Sequence, residues 1–316
     1  MRKLITILAV VLGLSIPAAL ASAAPGAGPQ GPPPPVVYNF LQGSLNHLAD
    51  PDRSPPGTND WSCKPSARHP HPVVLVHGGF ASQQTDWAVY GPALRAAGYC
   101  VFTFTWGANP AFPKPFNAIA GMSSVPAGAA AVSRFVDRVR RTTGSPTVDI
   151  VTHSLGGLVT AYYVKVIGGA AHVDKVVNIA AILQGVNWPS NLVYLNPLIT
   201  RQNCGMCYEV YADSAVVQRI NAGGSPYTRP VTYTNIVTRY DEMATPYTSG
   251  IPPPRPGQRV TNIVVQDSCS RDYSDHMAIA GSRRTTIIVM NALDPAHRQR
   301  VPCEVVLPFT GMSPGR

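Results

Sequence analysis

Residues 149–159, with the sequence DIVTHSLGGLV, surround a serine whose hydroxyl could act as a nucleophile. Apolar and β-branched residues lead into Ser154, and two glycines and a helix-forming run follow it. This pattern predicts a strand, a strained turn and a helix, with the Ser154 hydroxyl lifted clear of a sheet. A side chain at Gly156 is expected to collide where the helix leaves hard against the strand. Thr152 replaces the first glycine of the G-x-S-x-G motif. The motif alone therefore leaves open the alternative that Ser154 is a structural residue with no catalytic role.

A serine hydroxyl attacks a carbonyl carbon only when a base removes its proton and an acid orients that base. In a strand–turn–helix site the chain order is serine, acid, histidine, which leaves His276 and His297 as candidate bases. The sequence favours His276, because it lies in a loop soon after a late strand, whereas His297 follows the last predicted helix. Asp241 directly follows the predicted strand 232–239 and is the expected acid. Glu242 is one residue further along and is expected to point elsewhere.

A second motif, His77-Gly78-Gly79, ends an apolar run and predicts a site for a developing oxyanion. Backbone N–H groups in such a turn can stabilise a tetrahedral intermediate, and glycine lets the backbone approach the substrate. We expect the N–H groups of Gly79 and Leu155 to serve in this way. The alternative interpretation of this motif is an ordinary tight turn after a strand. His77 is expected to be a structural residue and not a base. The resulting acyl-transfer chemistry needs no metal and no organic cofactor.

The alternation of strand and helix patterns predicts a fold that brings these residues together. Buried strands and helices of this spacing indicate an α/β architecture, in which helices cover both faces of a mostly parallel sheet. The predicted strands are 72–76, 99–106, 149–153, 175–181, 232–239 and 260–266, and the predicted helices are 92–97, 126–143, 158–167 and 285–293. Ligands bind at the carboxyl ends of such strands, where the turns with Gly79 and Ser154 fall.

Residues 183–220 interrupt the alternation and carry many apolar side chains. We interpret this insertion as a small cap or an acyl pocket within one domain, although plain core packing stays open. Cys204 and Cys207 in this insertion have C-x-x-C spacing. No second cysteine pair or histidine accompanies them, so the spacing favours a local disulfide over a zinc site.

The first residues predict export from the cell. Residues 1–23 combine a basic start, an apolar stretch and a small-residue cleavage site, which is the pattern of a signal peptide. A Pro/Gly-rich segment that we expect to be disordered follows at 24–36. Six cysteines in an exported chain predict three disulfides, whose pairing the spacing leaves open. The net charge of +9 comes without any nucleic-acid-binding motif, and no other segment is apolar and long enough to span a bilayer.

With these residues in place, the chain resembles the secreted class 2 lipases of actinobacteria and, more distantly, Candida antarctica lipase B. The resemblance runs from about residue 37 to residue 303 and rests on short stretches at 59–63, 73–80, 98–101, 148–157, 221–224, 238–242 and 275–276. It implies a single α/β-hydrolase domain over residues 37–316. It also implies hydrolysis of triacylglycerols or other carboxylic esters.

The same resemblance assigns roles to individual residues of this sequence. It implies that Ser154 is the nucleophile, Asp241 the acid and His276 the base. Thr152 has a counterpart in the yeast-type lipase, so the missing first glycine does not argue against the assignment. Gly79 stands where oxyanion lipases of this kind carry a bulkier residue, which implies a wider alcohol side of the pocket. The implied disulfides are Cys63–Cys100 and Cys269–Cys303, which leaves Cys204–Cys207.

The expected protein is thus a secreted, monomeric serine lipase or esterase that forms an acyl-enzyme intermediate. Its partner is a lipid or other ester substrate, in some cases at an interface, with no nucleic acid and no stable membrane insertion. Two alternatives stay open. The first is a polyester hydrolase or acyltransferase that uses the same triad, and the second is a non-enzymatic surface-binding homologue.

Overall fold

Six parallel strands form one sheet that carries the predicted site at its carboxyl edge. The strands are β1 (Val73–Val76), β2 (Val101–Thr103), β3 (Val148–His153), β4 (Val173–Ile179), β5 (Thr232–Val237) and β6 (Arg259–Val264). Their order across the sheet is β2-β1-β3-β4-β5-β6, and every neighbouring pair is parallel. The predicted α/β architecture is confirmed, with β3 near the middle of the sheet.

The structure is a computed structural model that describes residues 35–109, 119–188 and 200–314. The predicted signal peptide at 1–23 lies outside these residues. So do nearly all of the predicted disordered segment 24–36 and part of the insertion predicted at 183–220. Within the described residues, no helix is both long and apolar enough to cross a membrane.

Helices cover both faces of the sheet, and the strands β1, β2 and β3 are buried along their whole length. The helices are α1 (Phe40–Ala49), α2 (Gln83–Trp87), α3 (Tyr90–Ala96), α4 (Val125–Thr143), α5 (Leu155–Ala161), α6 (Ala215–Asn221), α7 (Ala278–Gly281) and α8 (Arg283–Leu293). One core lies under α4 and α5 and contains Val136, Leu158 and Ile150. The other lies under α3 and α8 and contains Leu94, Val289 and Val151. Adjacent residues of β3 therefore enter opposite cores, as expected for a buried parallel strand.

Several elements differ in length from the prediction. The strand predicted at 99–106 is much shorter, because the chain is regular only over Val101–Thr103. The strand predicted at 232–239 ends at Val237, and Thr238 turns away to donate a hydrogen bond from Oγ1 to Ser274 O at 2.6 Å. The helix predicted at 158–167 begins earlier and widens into a π-turn over Tyr162–Val166.

Three disulfides are present, of which two connect segments that are distant in sequence and one is local. They are Cys63–Cys100, Cys204–Cys207 and Cys269–Cys303, so the expected pairing is confirmed. The first joins the segment before β1 to the start of β2. The last joins the loop after β6 to the segment after α8, and it encloses the chain that contains His276.

A row of polar side chains crosses the sheet beneath the nucleophile turn. Thr152, Asn178, Asn235 and Asn262 occupy matching positions on β3, β4, β5 and β6. The Thr152 hydroxyl donates to Asn178 Oδ1 at 2.7 Å, and Asn178 Nδ2 donates to Asn235 Oδ1 at 2.8 Å. Asn235 Nδ2 donates to Asn262 Oδ1 and to the Tyr227 hydroxyl, both at 2.7 Å. We call these residues the amide row. It gives Thr152 a role that glycine could not fill.

Alanine substitutions in the amide row are expected to cost more stability at a buried position than at an exposed one. Replacing the fully buried Asn235 by alanine leaves Asn178 Nδ2 without its acceptor in the core, while the Tyr227 hydroxyl keeps its hydrogen bond to Pro252 O at 3.1 Å. An unpaired buried polar group costs about 1–3 kcal/mol, so we expect Asn235→Ala to lower the free energy of unfolding by about 2–3 kcal/mol. Urea unfolding followed by circular dichroism measures this loss.

The matched control is Asn262→Ala, because Asn262 lies exposed on the edge strand β6, where water can replace its hydrogen bonds. We expect this control to cost at most about 1 kcal/mol. Equal losses in the two variants would contradict the assignment of the stability to buried hydrogen bonds.

Candidate active site

The turn between β3 and α5 places Ser154 in a backbone conformation that L-residues rarely adopt. Its φ is 54° and its ψ is −126°, while its N–H donates to Ile179 O at 2.9 Å. A Cβ at Gly156 would overlap the carbonyl oxygen of Val76, so only glycine fits there. The predicted strand, sharp turn and helix are therefore present, and the collision expected at Gly156 is confirmed.

Asp241 and His276 are paired although they lie far apart in the chain. His276 Nδ1 lies 2.9 Å from both carboxylate oxygens of Asp241. Because a carboxylate only accepts, Nδ1 carries the proton, and the neutral ring leaves Nε2 free to take up another. Asp241 Oδ1 also accepts the N–H groups of Met243 at 3.0 Å and Ala244 at 2.6 Å.

Electrostatics keep this carboxylate ionised. Burial raises the pKa of Asp241, but His276 and the two backbone N–H donors outweigh burial and hold it below its ordinary value. An ionised Asp241 stabilises the imidazolium that forms when His276 accepts a proton. Such a pair can act as a general base.

Glu242 does not point elsewhere, so that expectation is wrong. Its Oε2 accepts a hydrogen bond from the backbone N–H of His276 at 3.2 Å, and its side chain lines the cavity described below. Glu242 lies within the turn that Asp241 Oδ1 closes by accepting the backbone N–H groups of Met243 and Ala244. Residue order along the chain carries no signal for the orientation of a side chain within such a turn.

The His77-Gly78-Gly79 turn is held rigidly from below. His77 is fully buried. Its Nδ1 lies 2.8 Å from Gly78 O, and its Nε2 accepts a hydrogen bond from the backbone N–H of Trp106 at 3.0 Å. Burial lowers the pKa of His77 to about 4, so the ring is neutral and structural. A Cβ at Gly79 would lie 2.9 Å from Met206 Cε and 3.2 Å from Leu155 Cδ2. Gly79 and Leu155 therefore face each other across a narrow gap.

A further buried ion pair supports the loop before His276. Arg284 Nε on α8 lies 3.2 Å from Asp272 Oδ2, and both side chains are buried. Asp272 Oδ1 accepts the N–H of Ser274 at 3.1 Å and its hydroxyl at 2.6 Å. Sequence reasoning missed this support, because an arginine within a helix pattern suggests a surface position.

A cavity of about 300 Å³ gathers the predicted site residues other than Asp241, which lies behind His276. Ser154, His276, Gly79 and Leu155 all line it. Most of its other walls are apolar, contributed by Phe40, Phe80, Ile182, Val186, Trp188, Met206, Val210, Met243 and Met277. Val186, Trp188, Met206 and Val210 belong to the insertion predicted at 183–220. Residues 189–199 of that insertion lie outside the described residues.

Within the described ranges, no three His, Cys, Asp or Glu side chains are arranged to hold a metal ion. What the cavity offers is a serine hydroxyl, an imidazole with a free nitrogen, and backbone close to both. These are the components of acyl transfer through a covalent intermediate.

Comparisons with solved structures agree with this fold. The chain is similar to Aspergillus fumigatus lipase B, with a TM-score of 0.59 and 18% identity, over 83% of this chain and 68% of that one. It is also similar to the mature form of the lipase BlEst2 from Bacillus licheniformis, with a TM-score of 0.52 and 13% identity, over 73% of this chain and 94% of that one. At such low identity the likeness establishes the α/β-hydrolase fold alone.

The sequence comparison goes further. A sequence model described as Lipase (class 2) matches residues 70–286, which is more than half of the chain. The matched region contains the nucleophile turn, Asp241 and His276. The expected lipase family is confirmed, while the actinobacterial relationship stays a prediction. The chain belongs to the class 2 lipase family and is a carboxylic ester hydrolase with the α/β-hydrolase fold.

Proposed function

We propose that this protein is a secreted serine lipase or esterase that cleaves esters such as triacylglycerols through an acyl-enzyme intermediate on Ser154. The observation that carries the proposal is that Ser154, on its strained turn, and His276, held by Asp241, line the same apolar cavity. Three disulfides support the secreted location, because disulfides persist mainly in oxidising compartments.

The proposed reaction begins with attack of Ser154 Oγ on the ester carbonyl carbon. His276 Nε2 accepts the hydroxyl proton, while Asp241 orients and stabilises the imidazolium. The N–H groups of Gly79 and Leu155 donate to the oxyanion of the tetrahedral intermediate, each worth about 10²–10³ in rate. His276 then protonates the departing alcohol oxygen as the ester C–O bond breaks. Water activated by the same imidazole hydrolyses the acyl-enzyme, which releases the acid and restores Ser154.

The cavity walls favour a substrate with an apolar acyl chain. Trp188, Met206 and Val210 surround space beside Ser154, and apolar lining is typical of sites that exclude water from a hydrocarbon chain. Gly79 adds no side chain to the narrow gap beside Leu155, and the wider alcohol side implied by the resemblance stays a prediction. A polyester hydrolase or acyltransferase would use the same residues. Product analysis with polyester film and with competing alcohols separates these activities.

The proposed function makes a prediction about the nucleophile. Ser154→Ala removes the attacking oxygen, so we expect kcat for p-nitrophenyl butyrate to fall by about 10⁴-fold or more. Release of p-nitrophenol measures it. The control is Ser44→Ala, because Ser44 also lines the cavity without a role in the reaction. Wild-type activity in Ser154→Ala would refute the proposed function.

The second prediction concerns the acid. Asp241→Asn removes the charge that selects the His276 tautomer, so we expect kcat to fall by about 10³–10⁴-fold with little change in KM. Glu242→Gln keeps an acceptor for the His276 N–H and should cost less than about tenfold. A larger loss in Glu242→Gln than in Asp241→Asn would contradict the assignment of Asp241.

The lowered pKa of Asp241 also predicts a pH dependence of stability. A carboxyl whose pKa is lower in the folded than in the unfolded state adds stability above its unfolded pKa. That contribution is lost as pH falls through the folded value. We therefore expect the wild type to exceed Asp241→Asn in free energy of unfolding at pH 7. The difference should shrink below about pH 4, near the ordinary carboxyl pKa. Urea titrations at several pH values measure it, and a constant difference would contradict the pairing.

A further inference from the structure

A second buried histidine–aspartate pair lies beside the proposed triad and takes no part in the reaction above. His153 Nδ1 lies 3.0 Å from Asp86 Oδ2, and the two side chains are only 4% and 1% exposed. His153 is the residue before Ser154 at the end of β3, and Asp86 lies on α2. The Phe40 ring, 6.1 Å from the His153 ring between centroids, packs edge-on against it.

The hydrogen bonds of His153 determine its protonation state. Its Nδ1 faces a carboxylate, and its Nε2 lies 3.0 Å from the backbone carbonyl oxygen of His276. With Asp86 ionised, both partners are acceptors, so each ring nitrogen must carry a proton for both bonds to form. The ring is therefore an imidazolium, and Asp86 supplies its counter-charge. A neutral His153 would leave either the Asp86 carboxylate or the His276 carbonyl facing a bare nitrogen.

The pair connects the parts of the site that must keep a fixed geometry. Asp86 Oδ2 also accepts the N–H of Gly78 at 2.8 Å, which holds the turn that leads to Gly79. The His153 ring contacts the backbone carbonyl of His276, and His153 directly precedes Ser154 in the chain. One ion pair thus touches the oxyanion turn, the nucleophile turn and the loop of the base.

We propose that the His153 imidazolium and the Asp86 carboxylate are positioning residues that fix the oxyanion turn and the backbone of His276 relative to Ser154. This inference rests on the proposed function, because it assumes that these three segments carry the reaction. Misplacement of a reacting group by about 1 Å can cost roughly 10²-fold in rate. A buried ion pair is a weak source of stability, but its fixed geometry suits such a role.

The directions of the pKa shifts agree with the geometry. Burial lowers the pKa of His153, but Asp86 and the His276 carbonyl outweigh burial and raise it above its ordinary value. Burial raises the pKa of Asp86, but the charge and the hydrogen bond of His153 outweigh burial and hold this pKa below its ordinary value. Both directions favour the charged form of the group.

The protonation state is tested by NMR on protein labelled with ¹⁵N-histidine. The spectrum of His153→Gln identifies the His153 signals by their loss. At pH 7 we expect both His153 nitrogens of the wild type to show directly bonded protons, and only one to do so in Asp86→Asn. A single protonated nitrogen at His153 in the wild type overturns the inference.

The positioning role is tested by kinetics on a soluble ester. Glutamine at 153 can donate to only one of the two partners, so we expect His153→Gln to lower kcat by roughly 10- to 100-fold while KM changes by less than about threefold. Asp86→Asn should give a similar loss. The double variant should lose no more than the larger single loss, because the two residues act as one unit. Values of kcat within about twofold of wild type in both single variants overturn the role.

The matched control is Asp149→Asn. Asp149 is a buried acidic residue at the opposite end of the same strand, where burial raises its pKa to about 7 and its Oδ2 lies 3.7 Å from Lys175 Nζ. It should change stability without changing kcat of the folded protein, with the folded fraction measured by circular dichroism. An equal loss of kcat in this control would show that the variants act through general destabilisation.

Failure of this inference is distinguishable from failure of the proposed function. An inactive Ser154→Ala together with an unaffected His153→Gln refutes only the positioning role. An active Ser154→Ala refutes the proposed function itself, while the NMR result still decides the charge of His153.

Discussion

The close approach of the β3–α5 turn to β1 is the constraint on which the rest of the site depends. A side chain at Gly156 would overlap the Val76 carbonyl, and the neighbouring Gly157 has no room for one beside Ala181. Because the helix must start this close to the sheet, Ser154 takes a positive φ that costs free energy. The surrounding fold supplies that free energy, and the hydroxyl gains a position at the cavity wall.

Buried ionic groups fix the segments that surround this turn. Asp241 pairs with His276, Asp86 pairs with His153, and Asp272 pairs with Arg284. None of these pairs is needed to bury apolar surface, and desolvation offsets much of their attraction. What they provide is a single arrangement of loops that apolar contacts alone would leave loosely specified. The amide row acts in the same way within the sheet, because its hydrogen bonds hold β3 in register with β4, β5 and β6.

Local patterns in the sequence predicted a large part of the fold. Continuous apolar runs marked the buried strands, and the glycines after Ser154 marked the sharp turn. Chain order then reduced the histidine candidates to two, of which His276 lies in the cavity. These features depend on residues that are neighbours in sequence, or on the fixed order of elements in a parallel sheet.

Other features depend on contacts between distant residues and could not be predicted in this way. The orientation of Glu242 follows from a turn closed by a neighbouring carboxylate. The charge on His153 follows from partners 67 and 123 residues away. Asn178 and Asn235 look unsuited to buried strands until their side chains are seen to bond to each other. Sequence patterns report burial and period, whereas these interactions are set by the alignment of strands in space.

The Cys269–Cys303 disulfide has a consequence for the integrity of the molecule. It closes a loop that contains His276, the buried Arg284 and the whole of α8. A protease that cleaves one peptide bond inside this loop would leave both fragments covalently joined and still packed against the sheet. Only reduction would then release the terminal fragment, so a nicked molecule would keep its histidine in place for as long as its surroundings stayed oxidising.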